Sequence, residues 1–124
     1  MGFGTFDGLH PGHMSFLRQL KELGDEVYIV VARDRNVKKF KGKKPKLSER
    51  ERVKGIEDTR IANKVLLGHA TNLYYWINTF QPHVIGLGYD QKANIEELKE
   101  KFPLVEIRVL SSFEPEMYKS SLLN

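Results

Sequence analysis

Short apolar runs of strand type alternate with segments of helical period along nearly the whole chain, and that alternation limits the fold most. The clearest strand is Val27-Tyr28-Ile29-Val30-Val31-Ala32, a continuous β-branched run of the kind buried on both faces of a parallel sheet. Further runs lie at 64–67, stopped by Gly68, at 84–87, closed by Gly88, and at 105–110. Residues 1–6 are short and Gly-rich and read as the stub of a first strand. Helical spacing fills the gaps. Over 12–23, Phe16, Leu17, Leu20 and Leu23 recur on one face, and Gly24 stands where a left-handed C-cap is expected. Ser48 with Glu51 forms a capping box for a helix whose apolar contacts include Val53 and Ile56. Thr71 or Asn72 caps the next helix, with Leu73, Trp76, Ile77 and Phe80 on one face and Pro82 at its end. Asn94 with Glu97 opens the helix 95–101, before Pro103. Residues 33–47 read as a basic connection, and 111–124 have no clear period. The expected architecture is α/β: a five-stranded parallel sheet, counting the stub, with helices on both faces. Ligands of such sheets bind beyond the carboxyl ends of the strands, where strand order reverses.

The 124 residues suffice for one domain, 1–124, with one core. A first strand of a residue or two before Gly4 is short for such a sheet, so a few residues are expected to be missing upstream. The absence of cysteine excludes a disulfide framework, thiolate metal sites and thiol catalysis. No apolar run approaches the roughly 20 residues of a spanning helix, and no signal peptide is visible, so a cytoplasmic domain is expected. Twenty basic against sixteen acidic residues give a net charge of +4, which favours anionic partners without choosing among them.

The loop after the first strand carries the most chemistry: Gly4-Thr5-Phe6-Asp7-Gly8-Leu9-His10-Pro11-Gly12-His13. Glycines there let backbone N–H groups approach an anion, and a helix N-terminus adds its dipole. It is neither the three-glycine dinucleotide pattern nor a P-loop. His10 and His13 would aim imidazole N–H donors at a phosphate and stabilise charge that develops during its transfer. Half of a metal site is the alternative, but neither His69 nor His83 is an obvious third ligand. Asp7 is open to three readings: a cap of the following turn, a ligand of Mg²⁺, or a support for the histidines.

A second feature is six lysines within nine positions, Lys38, Lys39, Lys41, Lys43, Lys44 and Lys46. They read as a mobile cationic arm on the same rim as the histidines, able to neutralise a triphosphate. A third is Gly88-Tyr89-Asp90-Gln91, where a glycine at a strand end allows close approach and Asp90 or Gln91 can meet ribose hydroxyls and base edge. Arg52 can reach a phosphate or pair with Glu49 or Glu51. Trp76, Tyr74 and Tyr75 at helical spacing read as core or subunit packing rather than base stacking.

Gly-x-Phe-Asp at 4–7 followed by His-x-Gly-His at 10–13 resembles the cytidylyltransferase-like nucleotidyltransferases, and the resemblance runs over essentially the whole chain. Val31-Ala32-Arg33-Asp34, Leu87-Gly88-Tyr89-Asp90-Gln91 and Tyr118-Lys119-Ser120-Ser121 most resemble the archaeal FAD synthases of that family. The resemblance implies a Rossmann-like fold and transfer of AMP from ATP to FMN, with Mg²⁺ accompanying ATP and with homodimers common. It places Lys38 or Lys41 on the phosphates, and nucleotide contacts at Thr5, Phe6, His10, His13, Gly88, Asp90, Gln91, Tyr118, Ser120 and Ser121. Glycerol 3-phosphate or a sugar phosphate such as heptose 1-phosphate is the alternative acceptor. A non-catalytic nucleotide sensor, or a module binding nucleic acid through the lysines, is the rival from another class. The latter leaves the histidines without a task, so neither nucleic acid nor membrane is expected as a partner.

Overall fold

The computed structural model describes residues 1–88 and 95–111. Its elements run β1 (Gly2–Gly4), α1 (Pro11–Leu23), β2 (Tyr28–Val31), α2 (Asp34–Lys41), α3 (Glu49–Thr59), β3 (Lys64–Leu67), α4 (Tyr75–Phe80), β4 (Val84–Leu87), α5 (Ile95–Lys101) and β5 (Glu106–Val109). The five strands form one sheet in the order β3-β2-β1-β4-β5, and every pairing is parallel. This is the expected Rossmann-like α/β arrangement. The chain winds outward from β1 through β2 to β3, then returns to the other side of β1 for β4 and β5. The reversal of strand order therefore falls between β1 and β4.

Alternation along the strands divides the core in two. Ile29 and Val31 of β2 pack with Leu17 and Leu20 of α1 and Ile56 of α3 on one face. Val30 faces the other way and joins Ile77 of α4, Ile85 and Leu87 of β4 and Leu98 of α5. Leu20 is seated on two glycines that pair across neighbouring strands, Gly2 and Gly86. A methyl group at Gly2 would stand 2.5 Å from Leu20 Cδ1, and one at Gly86 would collide with Leu20 Cδ2. Lack of side chains at both positions lets α1 lie close on the sheet, with its N-terminus over the carboxyl end of β1.

Three expectations are corrected. Residues 33–47 are not a featureless arm, because 34–41 form α2. Its first amide, of Asp34, donates to Glu49 Oε1 of α3 at 2.9 Å, and Gly42 closes it in a left-handed conformation with φ +79°. Gly24, by contrast, is extended (φ −171°, ψ 177°) rather than left-handed. Helix α4 starts at Tyr75, later than its expected caps, because the turn before it consumes them. His69 Nδ1 accepts from the amides of Thr71 and Asn72, and Asn72 Oδ1 accepts from that of Tyr74. Leu73 is left outside the helix and 60% exposed. The capping box of Ser48 and Glu51 forms as expected, whereas the expected cap at Asn94 lies outside the described residues.

Candidate active site

The chain leaves β1 by a sharp turn. Phe6 takes φ +55° and Gly8 φ +84°, and a left-handed non-glycine residue costs on the order of 1–2 kcal/mol. Burial holds Phe6 there. Its ring is 4% exposed, lies against Gly4, where a Cβ would be 2.8 Å from it, and meets His13 edge-on at 5.3 Å.

His10 is the N-cap of α1. Its Nδ1 accepts from the amide of Gly12 at 3.0 Å and that of His13 at 3.4 Å, while Pro11 at the first helical position has no N–H to satisfy. A ring nitrogen that accepts carries no proton, so the neutral His10 ring bears its hydrogen on Nε2. Nε2–H is thus the group that can donate to a ligand. The His10 and His13 rings stack with centroids 3.7 Å apart and 24° between planes. His10 thus occupies the amides of Gly12 and His13 at the head of α1, which the sequence alone leaves free to face an anion.

Asp7 does not cap the turn that follows it; its bonds run to the segment before α3. Its carboxylate accepts from the amides of Lys46, at 2.7 Å, and Leu47, at 2.8 Å, fastening the start of α3 to the histidine loop. Those two amides, first Lys46 and then Leu47, hold its pKa below the ordinary 3.8. Arg52 is neither a phosphate ligand nor a surface ion pair with Glu49 or Glu51. It is 1% exposed, and its guanidinium donates to Thr5 O at 2.9 Å, Ala32 O at 2.7 Å and Leu47 O at 3.2 Å. Asp34 Oδ1 accepts a fourth bond at 2.6 Å.

Lys38 and Lys41 fall four and seven residues after Asp34, on the same helical stripe as the buried Val37. Both are exposed and belong to the last turn of α2, where cations suit the helix dipole. Lys43, Lys44 and Lys46 lie beyond the Gly42 cap. Thr5, Phe6 and His10 thus lie in the loop between β1 and α1, with His13 in the first turn of α1, and Arg52 links that loop to the head of the lysine-bearing helix. Gly88 directly follows β4, the strand paired with β1 on the other side of the reversal. Asp90, Gln91, Tyr118, Ser120 and Ser121 lie outside the described residues.

Among the described residues no group of three or more His, Asp or Glu could hold a metal ion, and both Asp7 oxygens already accept amides. Trp76 donates from Nε1 to Leu67 O at 2.6 Å and stacks on Phe80, which is the packing role expected of it. No described helix is long and apolar enough to cross a membrane.

Two contributions were not visible in the sequence motifs. The capping by His10 had a signal in the Pro at 11, a favoured first helical residue. Arg52 had none, because three of its four acceptors come from distant segments.

The profile of the family described as Cytidylyltransferase-like matches residues 1–123. The FAD synthase of Methanosarcina barkeri (strain Fusaro) is 44% identical over 98 residues, 79% of this chain and 69% of that protein. The FAD synthase of Thermoplasma acidophilum is 34% identical over 127 residues, covering 99% of this chain and 89% of its own. Among solved structures, a lipopolysaccharide core biosynthesis protein from Thermoplasma volcanium superposes with a TM-score of 0.85 at 36% identity. That likeness covers 92% of this chain and 96% of the other.

Proposed function

Since this chain belongs to the cytidylyltransferase-like family, we propose that it is a nucleotidyltransferase that moves AMP from ATP to FMN, giving FAD and pyrophosphate. FAD synthases at 34–44% identity over most of the chain support the acceptor. The observation that carries the chemistry is the stacked His10 and His13 pair at the carboxyl end of the central strand, beside the reversal of strand order.

In this reading an FMN phosphate oxygen attacks the α-phosphorus of ATP in line. The bond from that phosphorus to the α–β bridging oxygen breaks, and pyrophosphate leaves with the electron pair. No nucleophilic side chain is required, because orientation and charge stabilisation carry such transfers. His10 donates from Nε2–H, and His13 beside it serves the same phosphates as charge builds up on them. Lys38 or Lys41 offsets the charge of the departing pyrophosphate. Mg²⁺ accompanying ATP would supply further charge neutralisation. Thr5 and Phe6 contribute the backbone of the phosphate loop, and Gly88, Asp90 and Gln91 the nucleoside side. Tyr118, Ser120 and Ser121 complete the phosphate contacts. A homodimer in the cytoplasm belongs to the same reading.

The test is pyrophosphate release from ATP and from CTP against FMN, glycerol 3-phosphate and heptose 1-phosphate. Release with ATP and FMN, matched by FAD on chromatography, is expected. Release with heptose 1-phosphate alone would favour the second reading, a sugar-phosphate acceptor, which the structural likeness to the lipopolysaccharide protein supports. Salt-sensitive RNA or DNA binding without release would point to the binding module.

A further inference from the structure

Among the described residues Arg52 is the one charged side chain that is buried, and its position relative to the candidate site is unusual. Its side chain has 0% exposure, so it cannot touch a substrate. Burying a guanidinium is costly, and apolar residues of similar volume often serve a core at least as well. Bulk packing alone therefore gives no reason for a cation here. Its four acceptors lie together at the carboxyl ends of β1 and β2: Thr5 O, Ala32 O, Leu47 O and Asp34 Oδ1. Thr5 begins the loop that leads through His10 to His13 in the first turn of α1. Asp34 begins the helix that carries Lys38 and Lys41. Leu47 precedes the cap of α3, and its amide is held by Asp7 from that same histidine loop. The planar fork of one guanidinium spans all four; an ammonium is a single point of charge and lacks that fork.

We propose that Arg52 is a positioning residue for nucleotidyl transfer, which sets the histidine loop and the lysine helix at a fixed separation from within the protein. The inference rests on the proposed transfer reaction for its kinetics, but not for its structural part. Loss of such a residue should impair the transition-state geometry more than substrate binding, because small misplacements of donors are felt mainly in the reacting complex.

The experiment uses Arg52→Met, which keeps volume without donors, and Arg52→Lys, which keeps charge without the fork. Both are assayed well below their melting temperatures. Arg52→Met is expected to lower kcat about 30-fold or more while KM for ATP changes less than about threefold. His13→Ala should cost about 100-fold in the wild-type background but less than about fivefold in Arg52→Met, since a misplaced ring has little left to lose. Arg52→Lys should resemble Arg52→Met in kcat. A rise in KM with kcat intact, or losses that simply multiply, would overturn the proposal.

Amide hydrogen exchange supplies a readout that needs no turnover. Faster exchange confined to 5–13 and 33–41, with β4 and α5 unchanged, is expected. Uniform acceleration across the sheet would mean that Arg52 merely stabilises the fold, and would overturn the assignment. If the wild type releases no pyrophosphate with any acceptor, the proposed function fails, while the exchange pattern still decides what Arg52 positions.

Discussion

Two histidines in this molecule make the same local structure in different places. His10 Nδ1 accepts from the amides of Gly12 and His13; His69 Nδ1 accepts from those of Thr71 and Asn72. Each ring stacks on a neighbour at 24°, His10 on His13 at 3.7 Å and His69 on Tyr75 at 4.6 Å. The difference lies in what surrounds them. His10 follows the central strand next to the reversal of strand order, with a second imidazole and a lysine-bearing helix nearby. His69 follows β3, the edge strand, and its neighbours are aromatic. The same capping device thus stands in two settings, and on the proposed mechanism only the one at the central strand serves the transfer.

Breaking the first histidine should have the largest effect. On the proposed mechanism His10→Ala and His13→Ala each remove a transition-state donor and should lower kcat by about 100-fold, or about 3 kcal/mol. His69→Ala should leave kcat within about threefold, because it disturbs only a turn at the sheet edge. Steady-state pyrophosphate release on the three variants makes that comparison.

The cations come next. Lys38→Ala or Lys41→Ala should reduce kcat by about tenfold, whereas Lys43→Ala and Lys44→Ala, beyond the Gly42 cap, should act only weakly and in a salt-dependent way. Kinetics at two ionic strengths separate these groups.

Gly86→Ala tests the seat of α1. The added methyl meets Leu20 and should cost about 1–3 kcal/mol in thermal or denaturant unfolding, with turnover reduced in the folded protein as the histidines shift. Ile77→Ala, on the buried side of α4 against the opposite face, should destabilise by about 2–5 kcal/mol yet leave kcat of the folded fraction unchanged.

The smallest effect concerns acid. The Asp7 carboxyl is held below its ordinary 3.8 by the Lys46 and Leu47 amides. Its contribution to stability is therefore complete above the unfolded pKa and fades as pH falls through the lower folded value. Asp7→Asn should flatten the stability profile in that acid range. Unfolding midpoints between pH 2 and 6 measure it.

The same contrast explains what could be read from the residues in advance. The run at 27–32, the Leu17 and Leu20 stripe and the Ser48 capping box are local signals, and each element formed where it was expected. The histidine loop was legible because its glycines, proline and imidazoles are contiguous. Helix α2 was not, because its only described buried residue is Val37 and its first amide is satisfied by Glu49 from another helix. Asp34 at its start and Gly42 after its last turn were the available signs. The bonds of Arg52 and Asp7 were hidden for one reason. Their partners lie 18 to 47 residues away for the Thr5, Ala32 and Asp34 contacts of Arg52, and 39 or 40 away for Asp7. No spacing rule reports such bonds. Packing decided them.

The most direct test of the account is turnover of ATP with FMN by the wild type, His10→Ala and His69→Ala under identical conditions. FAD and pyrophosphate should appear in equal amounts with the wild type, fall by about 100-fold with His10→Ala, and persist with His69→Ala. Equal turnover by all three proteins would contradict it.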